Sequence, residues 1–329
     1  MLCGARMSAG LLHYRTWQGR MRGPWCSVWP IARVALGNLL RRRLFWVLYA
    51  FACLLFLMFF FGTYLLAWAE SQLPEDPNAR LRGLAVPAGN VMRLVRRALQ
   101  ILNGSQETFA YFFVYQGSMV MVILTLAGAV LVGNDFTHRS LSFYLAKPIN
   151  RWHYILGKCL AVAIVLNLVT TLPALVLFSQ HAMGDWDYLV DSNYFISSGL
   201  GAGPAGPRLL VGIVAFGLLL STFLSVMLVA TASWVRRTLP LVMVWTTLFM
   251  FLRLLANILV DGLQHDARWR LVDLWNSICL LGFAGLGYDH GRWPTPQPSY
   301  LEAGLVLLGV STLCLIYLNQ RTRAVDVIK

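Results

Sequence analysis

Residues 133–158 read GNDFTHRSLSFYLAKPINRWHYILGK. They are a long polar break between two hydrophobic runs, each of a length that crosses a bilayer. A turn between two spans needs only a few residues, so a break this long with its own internal pattern has room for a structure. It carries Arg139, Lys147, Arg151 and Lys158 against one acid, Asp135. Leu141, Tyr144 and Leu145 recur at i, i+3, i+4, which places them on one face of a short helix. Pro148 ends that helix, because proline lacks an N–H and disfavours a helical residue before it. Asn150 is positioned to cap a new helix, with Arg151 and His153 in its first turn. The pattern predicts a short amphipathic helix, a proline break and a restart into the next span. Two uses fit this pattern: a solvated basic loop that obeys membrane topology, or a surface that touches another molecule.

The flanking runs set the fold class. Of the 329 residues, 58% are hydrophobic and 12% charged, and the mean hydropathy is +0.62. Soluble domains carry about 25% charged residues. Several runs exceed the roughly 20 residues that span a bilayer as a helix. They are continuously apolar, unlike the alternating segments of about ten residues in a membrane β-barrel. The expected fold is an all-α polytopic membrane protein. Six spans are expected at about 44–69, 109–132, 154–178, 209–234, 239–260 and 300–318. The third is interrupted by Asn167, Thr170, Thr171 and Pro173. The stretch Leu271–Gly287 is apolar but short, and holds Asp273 and Asn276. We read it as a re-entrant or interfacial pair of short helices, since irregular backbone at membrane depth is tolerated where protein covers it.

The first 43 residues read as a basic segment of their own. Residues 1–30 hold no apolar run long enough for a signal peptide. From Pro30, placed at a first helical position, Ile31, Val34, Ala35 and Leu39 recur at helical spacing, and Arg33 and Arg41–Arg43 supply charge. Trp25 and Trp29 suit a membrane interface. The pattern predicts a basic amphipathic helix lying on the membrane surface and held by lipid. A flexible basic tail is the alternative.

Charge then sets orientation. The segment 1–43, the 133–158 loop, the 235–238 turn and the tail 319–329 hold seventeen Lys and Arg against Asp135 and Asp326. The loops 70–108, 179–208 and 261–299 hold nine, and twelve acids fall on their side. Lys and Arg are retained on the cytoplasmic side, so both termini are expected inside. The net charge of +13 is thus a topology signal and a lipid-contact surface, and no nucleic acid is expected as partner. A seventh span through 271–287 would put the tail outside and break this asymmetry.

The residues exclude most chemistry. Gly201, Gly203 and Gly206 spell GxGxxG, but no strand precedes them and Pro204 interrupts them. No GxxxxGK[ST] loop occurs, so the chain is not expected to bind ATP itself. His138 and His153 have no third ligand at metal spacing, and the six cysteines are scattered without a CxxC pair. Asn103-Gly104-Ser105 is a formal glycosylation acceptor, relevant only in a eukaryotic secretory pathway. No catalytic residue, metal site or cofactor is expected. The polar residues expected within spans are Arg253, Gln116, Asn167 and Thr170. An ionisable group at that depth is a functional-site candidate by default, and polar ones often hydrogen-bond between helices.

The 133–158 stretch also resembles the cytoplasmic loop of the ABC-type type-2 permease family, the membrane subunits of ABC exporters. The residues that carry the resemblance are Asp135, Ser140-Leu141, Lys147-Pro148-Ile149-Asn150-Arg151 and Gly157-Lys158. Arg139 stands where that family usually has glycine, and Asn150 where it has serine or threonine. RRRLFWVL at 41–48 resembles the end of the family's interfacial helix. The resemblance implies a permease subunit in the plasma (inner) membrane, with ATP and magnesium bound by a separate ABC-type ATP-binding subunit. It implies that Asp135, Arg139, Leu141, Tyr144, Leu145, Pro148, Arg151 and Lys158 dock on that subunit, and that a second permease subunit, alike or distinct, completes the path. Two other classes compete: a membrane scaffold that recruits a cytoplasmic partner through its basic face, and an intramembrane enzyme, which would need paired ionisable groups at one depth.

Overall fold

The computed structural model describes residues 24–72, 104–128, 151–184, 205–235, 237–288 and 295–326, with scattered positions between 90 and 102. Asp135, Arg139, Leu141, Tyr144, Leu145 and Pro148 lie outside the described residues. Those described are helical or in short connections, with no strand among them.

A 3-10 turn, Pro24–Ser27, leads into α1, Val28–Leu40. The spans follow as α2, Arg43–Gln72; α3, Gln106–Gly128; α4, Arg151–Val169, continued by α5, Thr171–Gly184; and α6, Ala205–Trp234. The fifth is composite: α7, Thr238–Thr246, a π-helical turn at Thr247–Phe251, α8, Leu252–Asn257, and a second π turn at Ile258–Gly262. A 3-10 helix, Ala267–Val272, and α9, Leu274–Leu286, precede the last span, α10, Tyr300–Asp326. Six of these stretches are long and apolar enough to cross a membrane. The chain is therefore an all-α polytopic protein with six candidate spans.

The bundle is built around α6, which packs on α4, α9, α10, α5 and α3. Its most apolar stretch is 67% buried, against 17% for α2, 22% for the fifth span and 17% for α10. These three outer spans turn Trp46, Phe51, Phe61, Met250, Leu305 and Leu313 outward. A contiguous apolar exterior of this extent belongs in lipid or under another subunit.

α1 starts at Val28, so Pro30 sits at its third helical position, still within the first turn, where a missing N–H breaks no helical hydrogen bond. Its buried stripe is Ile31, Ala32, Ala35 and Leu39. Val34, expected with Ile31, Ala35 and Leu39 on a face held by lipid, is 56% exposed, whereas the other three are buried against protein.

The third span breaks at Thr170, the link between α4 and α5. Pro173 has no N–H, so the Val169 carbonyl lacks its usual helical donor. Gln116 of α3 supplies one: its Nε2 donates to Val169 O at 2.8 Å and also to Ala52 O of α2 at 3.2 Å.

α9 matches the expected short apolar element at 271–287. It has 13 residues, about 20 Å of helix, too short to cross a bilayer. Asp273 caps its start, accepting from the Trp275 and Asn276 N–H groups at 3.0 and 3.2 Å. Gly287 closes its end with φ 75°, a left-handed conformation that favours glycine. Trp275 sits against Gly117, half-way along α3, and Gly287 lies beside Gln106 and Arg208, near the ends of α3 and α6. The helix thus runs from mid-bundle to one end, as the rising arm of a re-entrant element.

Candidate functional site

Three polar groupings stand out: the contact of α1 with α4, the polar side chains inside the bundle, and the charges around α9.

α1 and the preceding 3-10 turn lie on the first turns of α4. Gly157 makes this possible. A Cβ there would come within 2.8 Å of Ile31 Cγ2 and 3.1 Å of Val28 O, closer than ordinary contact allows. Trp25 packs edge-on against His153, with ring centroids 4.8 Å apart. His153 is only 8% exposed. It is a packing residue in the footing of α1, not a solvated histidine. Lys158, 4% exposed, lies with its ammonium 5.8 Å from the Tyr154 ring centre, inside the range of a cation–π contact. Arg151 begins α4, where the 133–150 segment joins it. Gly157-Lys158 thus marks the seat of the interfacial helix, a role whose meaning depends on what packs there.

The polar candidates of the second and third spans, Gln116, Asn167 and Thr170, are each hydrogen-bonded within the protein. Gln116 ties α2, α3 and α4 together through the two carbonyls above. Asn167 Nδ2 donates to Ala163 O at 2.8 Å, Thr170 Oγ1 to Leu166 O at 2.8 Å, and Thr171 Oγ1 to Asn167 Oδ1 at 2.7 Å. These bonds stay within the helix at its break. Gln116 also borders a cleft of about 130 Å³ between α2 and the α4–α5 joint, with Cys53 and Pro173 among its walls.

Charges gather around the re-entrant element. Arg270, 6% exposed, donates through Nη2 to both carboxylate oxygens of Asp261, at 2.7 and 2.8 Å. Asn276 Nδ2 donates to Gln297 Oε1 at 3.0 Å, and Arg268 pairs with Glu302 at 3.1 Å. Asp273 is 4% exposed, and the fields of Arg253 and Arg270 both reach its carboxylate. The sequence reading singled out only Arg253 as the intramembrane charge. An acid directly before an apolar run, as at Asp273, was the available signal for a capped helix start.

Arg253 differs from that reading in one respect: it is exposed on the fifth span rather than enclosed by the bundle. The inward face of the span is taken by Trp245, Phe249, Ala256 and Val260, and its exposed side carries Thr246, Arg253 and Asn257. An arginine at the centre of a membrane-spanning helix costs about 2.5–3.5 kcal/mol on insertion scales, and the acid that its charge reaches is Asp273 at the start of α9. Among the described residues, no group of three or more His, Cys, Asp or Glu is arranged to hold a metal ion.

Residues 29–268, from α1 to the start of the 3-10 helix before α9, match the family described as ABC-2 family transporter protein. The chain belongs to this family. No curated protein matches it. As an ABC-2 family member the chain is a multi-pass membrane protein and the permease component of an ABC transporter. Such permeases are not themselves the ATPase, and the family implies a partner ATP-binding subunit. The match takes in α1 and five of the six spans.

Proposed function

We propose that this permease passes force from ATP turnover in a separate ABC-type subunit to its own spans by way of the 133–158 segment and α1, as an exporter in the plasma membrane. The observation that carries the reading is the seat of Ile31 against Gly157. It joins the interfacial helix to the first turns of α4, the helix into which the 133–150 segment runs. A push on either element reaches α4 directly, and α4 packs on α6 at the bundle centre. The basic surplus of the α1 end supports a cytoplasmic position for both termini and for this platform. ATP and magnesium then belong to the partner, and the exposed apolar faces of α2 and α10 leave room for a second permease subunit, alike or distinct.

The test is co-purification of the full chain with an ATP-binding subunit encoded beside it. We expect Arg151→Glu, or deletion of residues 136–148, to weaken that pairing. Undiminished pairing after the deletion, ATP hydrolysis by the chain alone, or labelling of the 133–150 segment from outside the cell would each overturn the reading.

A further inference from the structure

Ile31, Ala35 and Leu39, which the sequence pattern assigns to a lipid-held face of α1, are buried against protein. The opposite face of the helix is the one offered outward. Trp29, Arg33, Gly37 and Arg41 follow one another along it at i, i+4, i+8 and i+12. Trp29, Arg33, Val34, Leu40 and Arg41 are exposed. A Cβ on Gly37 would meet nothing within 4 Å. Open space therefore lies between Arg33 and Arg41, which stand about 12 Å apart along the helix. Arg42 and Arg43, also exposed, carry the charge round the corner into α2. Trp46 fixes that corner, its Nε1 donating to Leu40 O at 2.8 Å. Residues 1–69 contain no Asp or Glu.

This face lies at the depth of lipid headgroups. From Arg151 to Gly184 the third span runs for about 50 Å of helix, against a hydrocarbon core of about 30 Å, which leaves about 10 Å beyond the core at each end. Gly157, where Ile31 is seated, stands about 9 Å from the Arg151 end. Trp46 and Trp152, exposed in the first turns of α2 and α4, mark the same level, where amphipathic indole rings gather. A row of cations with an open gap, flanked by tryptophan and held at this depth, is the complement of a phosphate-bearing headgroup, not of acyl chains.

We propose that the outer face of α1 and the α1–α2 corner bind the headgroup of an anionic phospholipid. Its phosphate sits in the gap over Gly37 between Arg33 and Arg41, with Arg42, Arg43 and Trp29 around it. The site does not depend on the coupling reading above. The hold of the membrane on α1 is then set by the charge of the leaflet, and salt weakens it. A stripe held by acyl burial would be indifferent to both.

The experiment places the full chain in phosphatidylcholine nanodiscs with a trace of phospholipid that carries a photoactivatable headgroup, and maps the cross-linked peptides by mass spectrometry. Within residues 25–46 we expect the phosphatidylglycerol probe to label at least tenfold more than the phosphatidylcholine probe, and raised salt to narrow the difference. Arg41→Gln, Arg42→Gln and Arg43→Gln together should cut that labelling at least tenfold. The same three positions changed to Lys should keep most of it, since a headgroup at this corner asks for charge. Gly37→Glu, which the open space accommodates, should cut it several-fold by placing an acid in the gap. Labelling around Leu305 and Leu313, on the outward side of α10, should stay the same in every variant and reports an intact bundle. Equal labelling of residues 25–46 by the two probes, or unchanged labelling in the triple Gln variant, would overturn the site. Loss of the lipid label when the ATP-binding subunit is present, with cross-links from residues 25–46 to that subunit in its place, would give the face to the partner and overturn the proposal as well.

Discussion

Gln116 donates to the carbonyl of Val169 at 2.8 Å, and Val169 is the residue whose helical hydrogen bond Pro173 removes. A proline in a span leaves one carbonyl without its donor in a medium with no water to replace it. Here a side chain from another span fills the gap, and its second N–H reaches Ala52 O on a third. The break in α4–α5 and the polar residue in α3 are two halves of one arrangement.

Their dependence is testable by a double-mutant cycle. Gln116→Leu leaves a buried carbonyl unpaired and should destabilise the protein by about 1–3 kcal/mol. Pro173→Ala restores an N–H to Val169 O, so in that background Gln116→Leu should cost distinctly less. Thermal unfolding of the four proteins in one detergent measures the coupling, and equal costs in both backgrounds would contradict it.

Gly157 makes a second paired prediction. Gly157→Ala pushes a methyl into Ile31 and should cost about 1–3 kcal/mol by overpacking. Ile31→Ala opens that space, so the double substitution should recover part of the loss. Limited trypsin digestion gives the readout: α1 carries Arg33 and is followed by Arg41–Arg43, and cleavage there should accelerate in Gly157→Ala alone.

The contrast between these sites shows what was legible beforehand. Six spans were readable because each is a continuous apolar run, and length alone separates a span from α9. Asp273 and Gly287 prove to be the caps of α9, whereas the sequence reading places Asp273 inside the apolar stretch as a polar interruption. The outward side of the fifth span carries Thr246, Arg253 and Asn257 at i, i+7 and i+11, a polar stripe of which the sequence reading singled out Arg253 alone. Arg253 was visible as a charge but not as an exposed one. The π turns leave no repeat in the sequence either. Helical spacing put Ile31, Val34, Ala35 and Leu39 on one apolar face, but it did not say that Ile31 would be buried at Gly157 of α4 while Val34 stays exposed. Gln116 and Thr170 were visible as polar letters, but their carbonyl partners belong to the backbone, which spacing does not locate. The segment carrying the strongest motif, 133–150, lies outside the described residues, so its part in the candidate site rests on the reading of its sequence.

The tip of the re-entrant element gives a third prediction. A Cβ on Gly117 would come within 2.2 Å of Trp275 Cη2, so Gly117→Val must displace the start of α9. The Asn276–Gln297 bond should be strained with it. A cysteine placed at Asn276 should react faster with a membrane-impermeant maleimide in the Gly117→Val background than in the parent protein. Trp275→Leu, which removes the clash, should return the labelling rate toward its starting value.

Arg270 and Asp261 give the last. Arg270 is buried and Asp261 is half exposed, with side-chain exposures of 7% and 42%. Removing the acid strands a buried guanidinium, whereas removing both partners strands nothing. Asp261→Ala should therefore destabilise more than Asp261→Ala with Arg270→Met, by about 1–3 kcal/mol, the penalty of an unpaired buried group. The pair links the end of the fifth span to the 3-10 helix that leads into α9. Its loss should also loosen α9, seen as faster backbone hydrogen exchange through Leu274–Leu286 in Asp261→Ala than in the double variant. Equal exchange in the two would mean that the ion pair has no hold on α9.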